Sequence, residues 1–171
     1  PRPAAARLPR LIVGCRLVLS DSPLEWLALP PDLASYQRLT RLLTLGKRRA
    51  GKGDCRLLLQ DLLDGGGGLI LIALPRDGAA VAEVKRVAQH FPGDVSLGAA
   101  PRYDGSDQAW FRECARMAAD CGAPMVAVGD VLMHRAARRP LADVLTCLRV
   151  GCIIDDIGTR ALPNAERRLK G

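Results

Sequence analysis

The sequence predicts an α/β fold with a parallel-strand core. Short apolar runs at residues 11–19 and 69–74 alternate with longer stretches whose apolar residues recur at helical spacing. Glycine and proline clusters punctuate the alternation. A hydrophobic share of 49% with 25% charged residues over 171 positions is enough for one packed core and argues against disorder.

The opening residues 1–9 show neither strand nor helix periodicity and no long apolar segment, so they read as a linker or cut end. Residues 11–19, Leu-Ile-Val-Gly-Cys-Arg-Leu-Val-Leu, lie between Pro9 and the Ser20-Asp21-Ser22-Pro23 turn and predict a strand. Behind Asp32, a candidate N-cap, Leu33, Tyr36, Leu39, Leu42 and Leu43 predict a helix that ends near Gly46. A basic loop, residues 46–54, follows, then a short helical segment over 56–63. The glycine run 65–68 leads into the buried strand 69–74, closed by Pro75. Val81, Val84, Val87 and Ala88 predict a helix over 78–90, and 94–99 a further strand. A helix over 106–121, capped by Ser106 or Asp107 and stopped by Gly122, precedes a fourth strand at 125–128. A helix over 140–150 and a tail at 163–170 complete the order. Closed barrels of this alternation need about eight strands and some 250 residues, so four strands read as a piece truncated at its N-terminus.

The formal net charge is +7, carried mostly by arginine, since lysine occurs only at Lys47, Lys52, Lys85 and Lys170. That balance suits contact with phosphate backbones, although scarce aromatics speak against a single-strand stacking platform. No apolar run approaches the roughly 18 residues of a membrane helix, which excludes that class of anchor. Six cysteines at irregular spacings, without a paired C-x-x-C pattern, read as reduced thiols and place the chain in the cytoplasm.

In parallel α/β folds, reactive groups gather after strand ends. There Asp130 and His134 follow the fourth strand, a possible pair of metal ligands or an acid/base pair. The alternative is a turn-capping aspartate and a surface histidine. His90, at a helix end beside Phe91, reads as a capping or surface group. Residues 46–53, Gly-Lys-Arg-Arg-Ala-Gly-Lys-Gly, come within one residue of a phosphate-binding loop, but Gly53 stands where magnesium needs a hydroxyl. The segment also follows a helix and not a strand. Lys47, Arg48, Arg49 and Lys52 are therefore candidate contacts to DNA or a partner.

Four blocks carry a family resemblance: RLIVGCRLVL; YQRLTRLLTLGKRRAGKG with DCRLLLQDLL; PMVAVGDVLMHRAARRPLADVLTCLRVGCIIDD; and NAERRLKG. From Arg10 onward the chain resembles the PHP (polymerase and histidinol phosphatase) domain of bacterial error-prone DNA polymerases, relatives of the polymerase III α subunit. The resemblance implies a partial, distorted (β/α) barrel, with a PHP segment over 10–150 and an extension toward the polymerase core over 151–171. It implies a parent that is a DNA-directed DNA polymerase of damage-induced mutagenesis and translesion synthesis. DNA, accessory mutagenesis proteins and a sliding clamp would be its partners, and Mg its polymerase cofactor. Within this segment the ligand pattern is eroded. Arg16 stands where replicative relatives carry a glutamate, Leu132 replaces the histidine of Asp-Val-His, and Arg168 replaces that of Asn-Ala-Glu-x-His-Leu. Asp130 and His134 would be remnants, which speaks against bound Mn or Zn and for a structural segment that is not itself catalytic. The competing readings are a metal-dependent phosphoesterase of the same superfamily and a basic nucleic-acid binding module.

Overall fold

The computed structural model describes residues 11–170; the linker expected at 1–9 lies outside them. The elements are β1 (Cys15–Val18), β2 (Glu25–Leu29), α1 (Leu33–Arg48), α2 (Leu59–Gly65), β3 (Ile70–Leu74), α3 (Val81–His90), β4 (Val95–Ala99), α4 (Asp107–Cys121), β5 (Met125–Ala127) and α5 (Arg139–Val150). The strands form one open sheet in the order β1-β2-β3-β4-β5.

This sheet corrects two expectations. Among the described residues there are five strands, and the core is mixed: β1 pairs antiparallel with β2 and β2 antiparallel with β3, while β3 and β4 are parallel. The unexpected strand is Glu-Trp-Leu-Ala-Leu, four of whose five residues favour helices in isolation. Its neighbours decide otherwise. Trp26 and Ala28 are fully buried on one face while Glu25, Leu27 and Leu29 are half-buried, which is the two-residue period of a sheet. The Trp26 indole N–H donates to Glu83 Oε1 at 3.1 Å, so the buried ring keeps its polar handle satisfied. Glu25 is held between Arg16 on β1, by an ion pair, and Arg76 after β3, at 2.7 Å.

Helix α1 starts where its cap dictates. The Ser35 N–H donates to Asp32 Oδ1 at 2.7 Å and the Asp32 N–H to Ser35 Oγ at 3.2 Å, so two of the orphan donors at the helix start are satisfied reciprocally. The Ser35 hydroxyl, also bonded to Asp32, holds that carboxyl below its usual range. The helix does not stop at Gly46. A Cβ there would lie 2.6 Å from Cys55 Sγ and 2.7 Å from Leu57 Cγ, so the glycine lets the returning chain pack directly on the helix. Lys47 and Arg48 are consequently in the last helical turn, favourable for cations facing the helix C-terminus.

The chain divides into two compact units, the first comprising residues up to Gly98 together with Ala115–Val126, the second Ala99–Cys114 with Ala127–Gly171. The continuous core belongs to the first, where Leu17, Trp26, Leu62, Leu71 and Val84 are sealed from solvent. In the second, the loop before α4 is tied down by the Asp107 carboxylate, which accepts the Arg102 N–H at 2.7 Å and the Tyr103 N–H at 3.1 Å. These bonds hold Tyr103 at φ 55°, in the left-handed region. Arg102 lies 3.8 Å over the Trp110 ring, whose N–H donates to the Ala100 carbonyl at 3.1 Å. Helix α5 ends at Gly151, left-handed with φ 70°.

Candidate nucleic-acid interface

The last two turns of α1 and the loop behind them present the densest positive charge of the first unit. Arg41, Thr44, Leu45 and Arg48 follow one another at helical spacing along a single face. With Thr40 and Arg49 they line a groove of about 400 Å³. The threonine hydroxyls are already engaged, Thr40 donating to the Gln37 carbonyl at 2.9 Å and Thr44 to that of Thr40 at 2.7 Å. What remains to face a ligand is guanidinium. Arg41 and Arg48 make no hydrogen bond or ion pair with any described residue, and they sit seven residues apart, about 10 Å along the axis.

The four basic residues singled out by sequence divide between two tasks. Lys47, Arg48 and Lys52 are exposed. Arg49 is instead bound to Asp61 at the start of α2. Asp61 is 9% exposed, and its second task is to accept the Leu58 N–H at 2.9 Å. Burial pushes this carboxyl up, but the hydrogen bonds from Arg49 and Leu58 and the Arg49 charge outweigh it and hold it below the ordinary range. Arg49 thus fastens α1 to α2. Arg41 escapes a sequence reading because it lies outside the contiguous basic loop; its signal is a position two turns before Arg48 on the same face.

The second candidate, Asp130 with His134, belongs to the second unit. Asp130 adopts φ 41°. Arg167 grips it twice, donating from Nε to its carbonyl at 2.9 Å and pairing through Nη2 with its carboxylate. The tail runs alongside, with the Leu132 N–H donating to the Arg167 carbonyl at 2.8 Å and the Leu169 N–H to that of Met133 at 3.1 Å. The two sequence blocks around Asp130-Val131-Leu132 and Asn164-Ala165-Glu166 are therefore brought together, but by main-chain pairing and a guanidinium. His134 is exposed. No group of three or more His, Cys, Asp or Glu among the described residues could hold a metal ion. In the first unit, His90 Nε2 lies 3.0 Å from the Leu63 carbonyl, tying α3 to α2. All six cysteines are free thiols, and burial is the leading cause that raises the pKa of Cys15, Cys114, Cys121 and Cys147. No described helix is long and apolar enough to cross a membrane.

The molecule is thus a mixed α/β segment with a basic helix face, a carboxylate neutralised by arginine, and no assembled metal centre among the described residues. No family model matches the sequence. The chain is similar along nearly its whole length to a segment of proteins named error-prone DNA polymerase. It is 71% identical over 173 residues to that of Ruegeria pomeroyi, a match covering 99% of this chain and 16% of the relative. The Rhodopseudomonas palustris protein is 42% identical over 166 residues, covering 95% and 15%. Error-prone DNA polymerase 1 of Agrobacterium fabrum is 41% identical over 163 residues, covering 94% and 15%. The chain spans about one sixth of the length of the curated relatives it matches.

Proposed function

We propose that this chain is a structural segment, of PHP type, of an error-prone DNA-directed DNA polymerase, and that the α1 face supports the duplex or template by contacting its phosphate backbone. The observation that carries the reading is 71% identity across 99% of the chain to a protein of that name. The basic groove fits it physically. Arginine forks match phosphate oxygens, and each phosphate neutralised releases counterions. The parent works in damage-induced mutagenesis and translesion synthesis, with Mg at a polymerase centre outside this segment and with accessory mutagenesis proteins and a sliding clamp as partners.

The segment itself carries out no chemistry on this reading. A hydrolytic metal site needs three or more ligands per ion, and the Asp130 carboxylate already has a permanent cation, Arg167, as its counter-charge. Asp130 is a remnant that anchors the tail through Arg167, and His134 is an exposed remnant.

The test is primer extension and DNA binding by the full-length polymerase across a salt series. With Arg41→Ala and Arg48→Ala together, the slope of log affinity against log salt becomes shallower by about 2, one unit per lost phosphate contact. With Asp130→Asn and His134→Ala together, extension is unchanged. An unaltered salt slope in the first variant refutes the DNA contact, and loss of extension in the second with retained folding refutes the structural role.

A further inference from the structure

Helix α5 wears its apolar side outward. Leu141, Val144, Leu145 and Leu148 fall within a stripe about 100° wide, the pattern by which a helix normally seats itself on a core. Here they are 51%, 44%, 57% and 74% exposed. The opposite side, which is turned inward, holds Ala142, Asp143, Thr146 and Cys147. Its contacts are partly polar: Asp143 accepts the Leu162 N–H at 3.3 Å, and Thr146 bonds back to the Ala142 carbonyl at 3.0 Å. The stripe continues beyond the helix into Ile153 and Ile154, also exposed, and Arg138 and Arg149 give it a charged border. A helix with leucines on one side and an aspartate and a threonine on the other gains most by burying the leucines.

We infer that the outer face of α5 is a docking surface, and that its occupant is an apolar surface of the same polypeptide, supplied by the rest of the polymerase. This rests on the functional reading above. Curated relatives extend over about six times the matched length, so the chain available to cover the stripe is long and covalently tethered. Tethering makes covering the stripe an intramolecular event, independent of protein concentration, whereas covering by a second copy in solution depends on it.

The experiment uses the full-length protein. Leu148→Cys and, as reference, Arg149→Cys are reacted separately with a maleimide under native conditions, each corrected for the parent's own thiols. The covered face makes the thiol introduced at position 148 react about tenfold more slowly than the one at position 149, and equal rates overturn the inference. In parallel, Leu145→Asp with Leu148→Asp accelerates tryptic cleavage within residues 135–160 by about tenfold. The control Leu33→Asp, on α1, leaves it unchanged. Wild-type cleavage of the double variant overturns the inference. So does a full-length dimer that the double variant converts to a monomer, when the thiol of Leu148→Cys reacts freely in the monomeric protein, since a second copy is then the occupant. If instead the gene encodes no polymerase sequence beyond this segment, it is the functional reading that fails, a result read from the open reading frame and from primer extension.

Discussion

In the first unit Trp26, Leu62, Leu69, Leu71 and Leu97 are sealed from solvent, whereas in the second Leu141, Leu145 and Leu148 stand outward from α5. The charges are distributed with the opposite logic. The first unit gathers free arginines on the α1 groove and commits only Arg49 of that groove to an internal pair; the second uses Arg102, Arg139 and Arg167 to stack, cap and neutralise its own loops. The contrast teaches that burial, not composition, separates a region that supplies its own stability from one whose apolar surface is offered elsewhere. Both are rich in leucine.

The sharpest way to break the comparison is to truncate one large residue on each side. In the isolated chain, Trp26→Ala should cost about 3–5 kcal/mol by denaturant unfolding, because it empties a sealed site and strips Glu83 of the indole N–H. Leu148→Ala in the same chain should change stability by less than about 0.5 kcal/mol. Comparable losses at both positions would erase the distinction.

Gly46→Ala is next in size. Helix propensity alone favours alanine by about 1 kcal/mol, yet the contacts with Cys55 and Leu57 make the added methyl an overpacking error that costs about 1–3 kcal/mol. A net gain would mean that α1 is not packed as described. Arg49→Ala follows, at about 1–3 kcal/mol near neutral pH, since it leaves the buried Asp61 without its cation. This loss carries a pH signature. The Asp61 and Asp32 carboxyls are both depressed in the fold, so their contributions are present in full above the unfolded value near pH 4 and disappear as pH falls through the lower folded values. The wild type and Arg49→Ala should therefore converge as pH falls from the ordinary carboxylate range through the depressed folded value of Asp61, and a constant gap across the titration would sink the assignment. The smallest effect belongs to Arg167→Ala, whose partly exposed pair with Asp130 is worth about 1 kcal/mol or less.

Much of the fold was legible in the sequence because local chemistry and tertiary structure agree there. Asp32 caps α1, Gly122 and Gly151 follow their helices with positive φ, and the run before Pro75 is a strand. Where they disagree, sequence reading failed for identifiable reasons. Residues 25–29 have helical propensity but sit between two antiparallel partners, so the sheet gains a strand and is mixed, with the parallel pairing kept between β3 and β4. Gly46 reads as a stop signal, but its missing side chain serves packing and the helix passes through it. At the basic site, charge density nominates Lys47, Arg48, Arg49 and Lys52 as candidates, while the position of Arg41 and the pairing of Arg49 depend on which face of α1 each occupies and on Asp61, twelve residues away from Arg49. The pairing of Asp130 with Arg167, thirty-seven residues apart, has no local signal at all.

Hydrogen exchange measured side by side on the full-length protein and on this 171-residue chain puts the central claim to its most direct test. If the segment is a structural part of a larger polymerase, the amides of α1, β2, β3 and β4 are equally protected in both, and those of α5 are protected strongly only in the full-length protein. Equal protection of α5 in the two proteins would contradict the account.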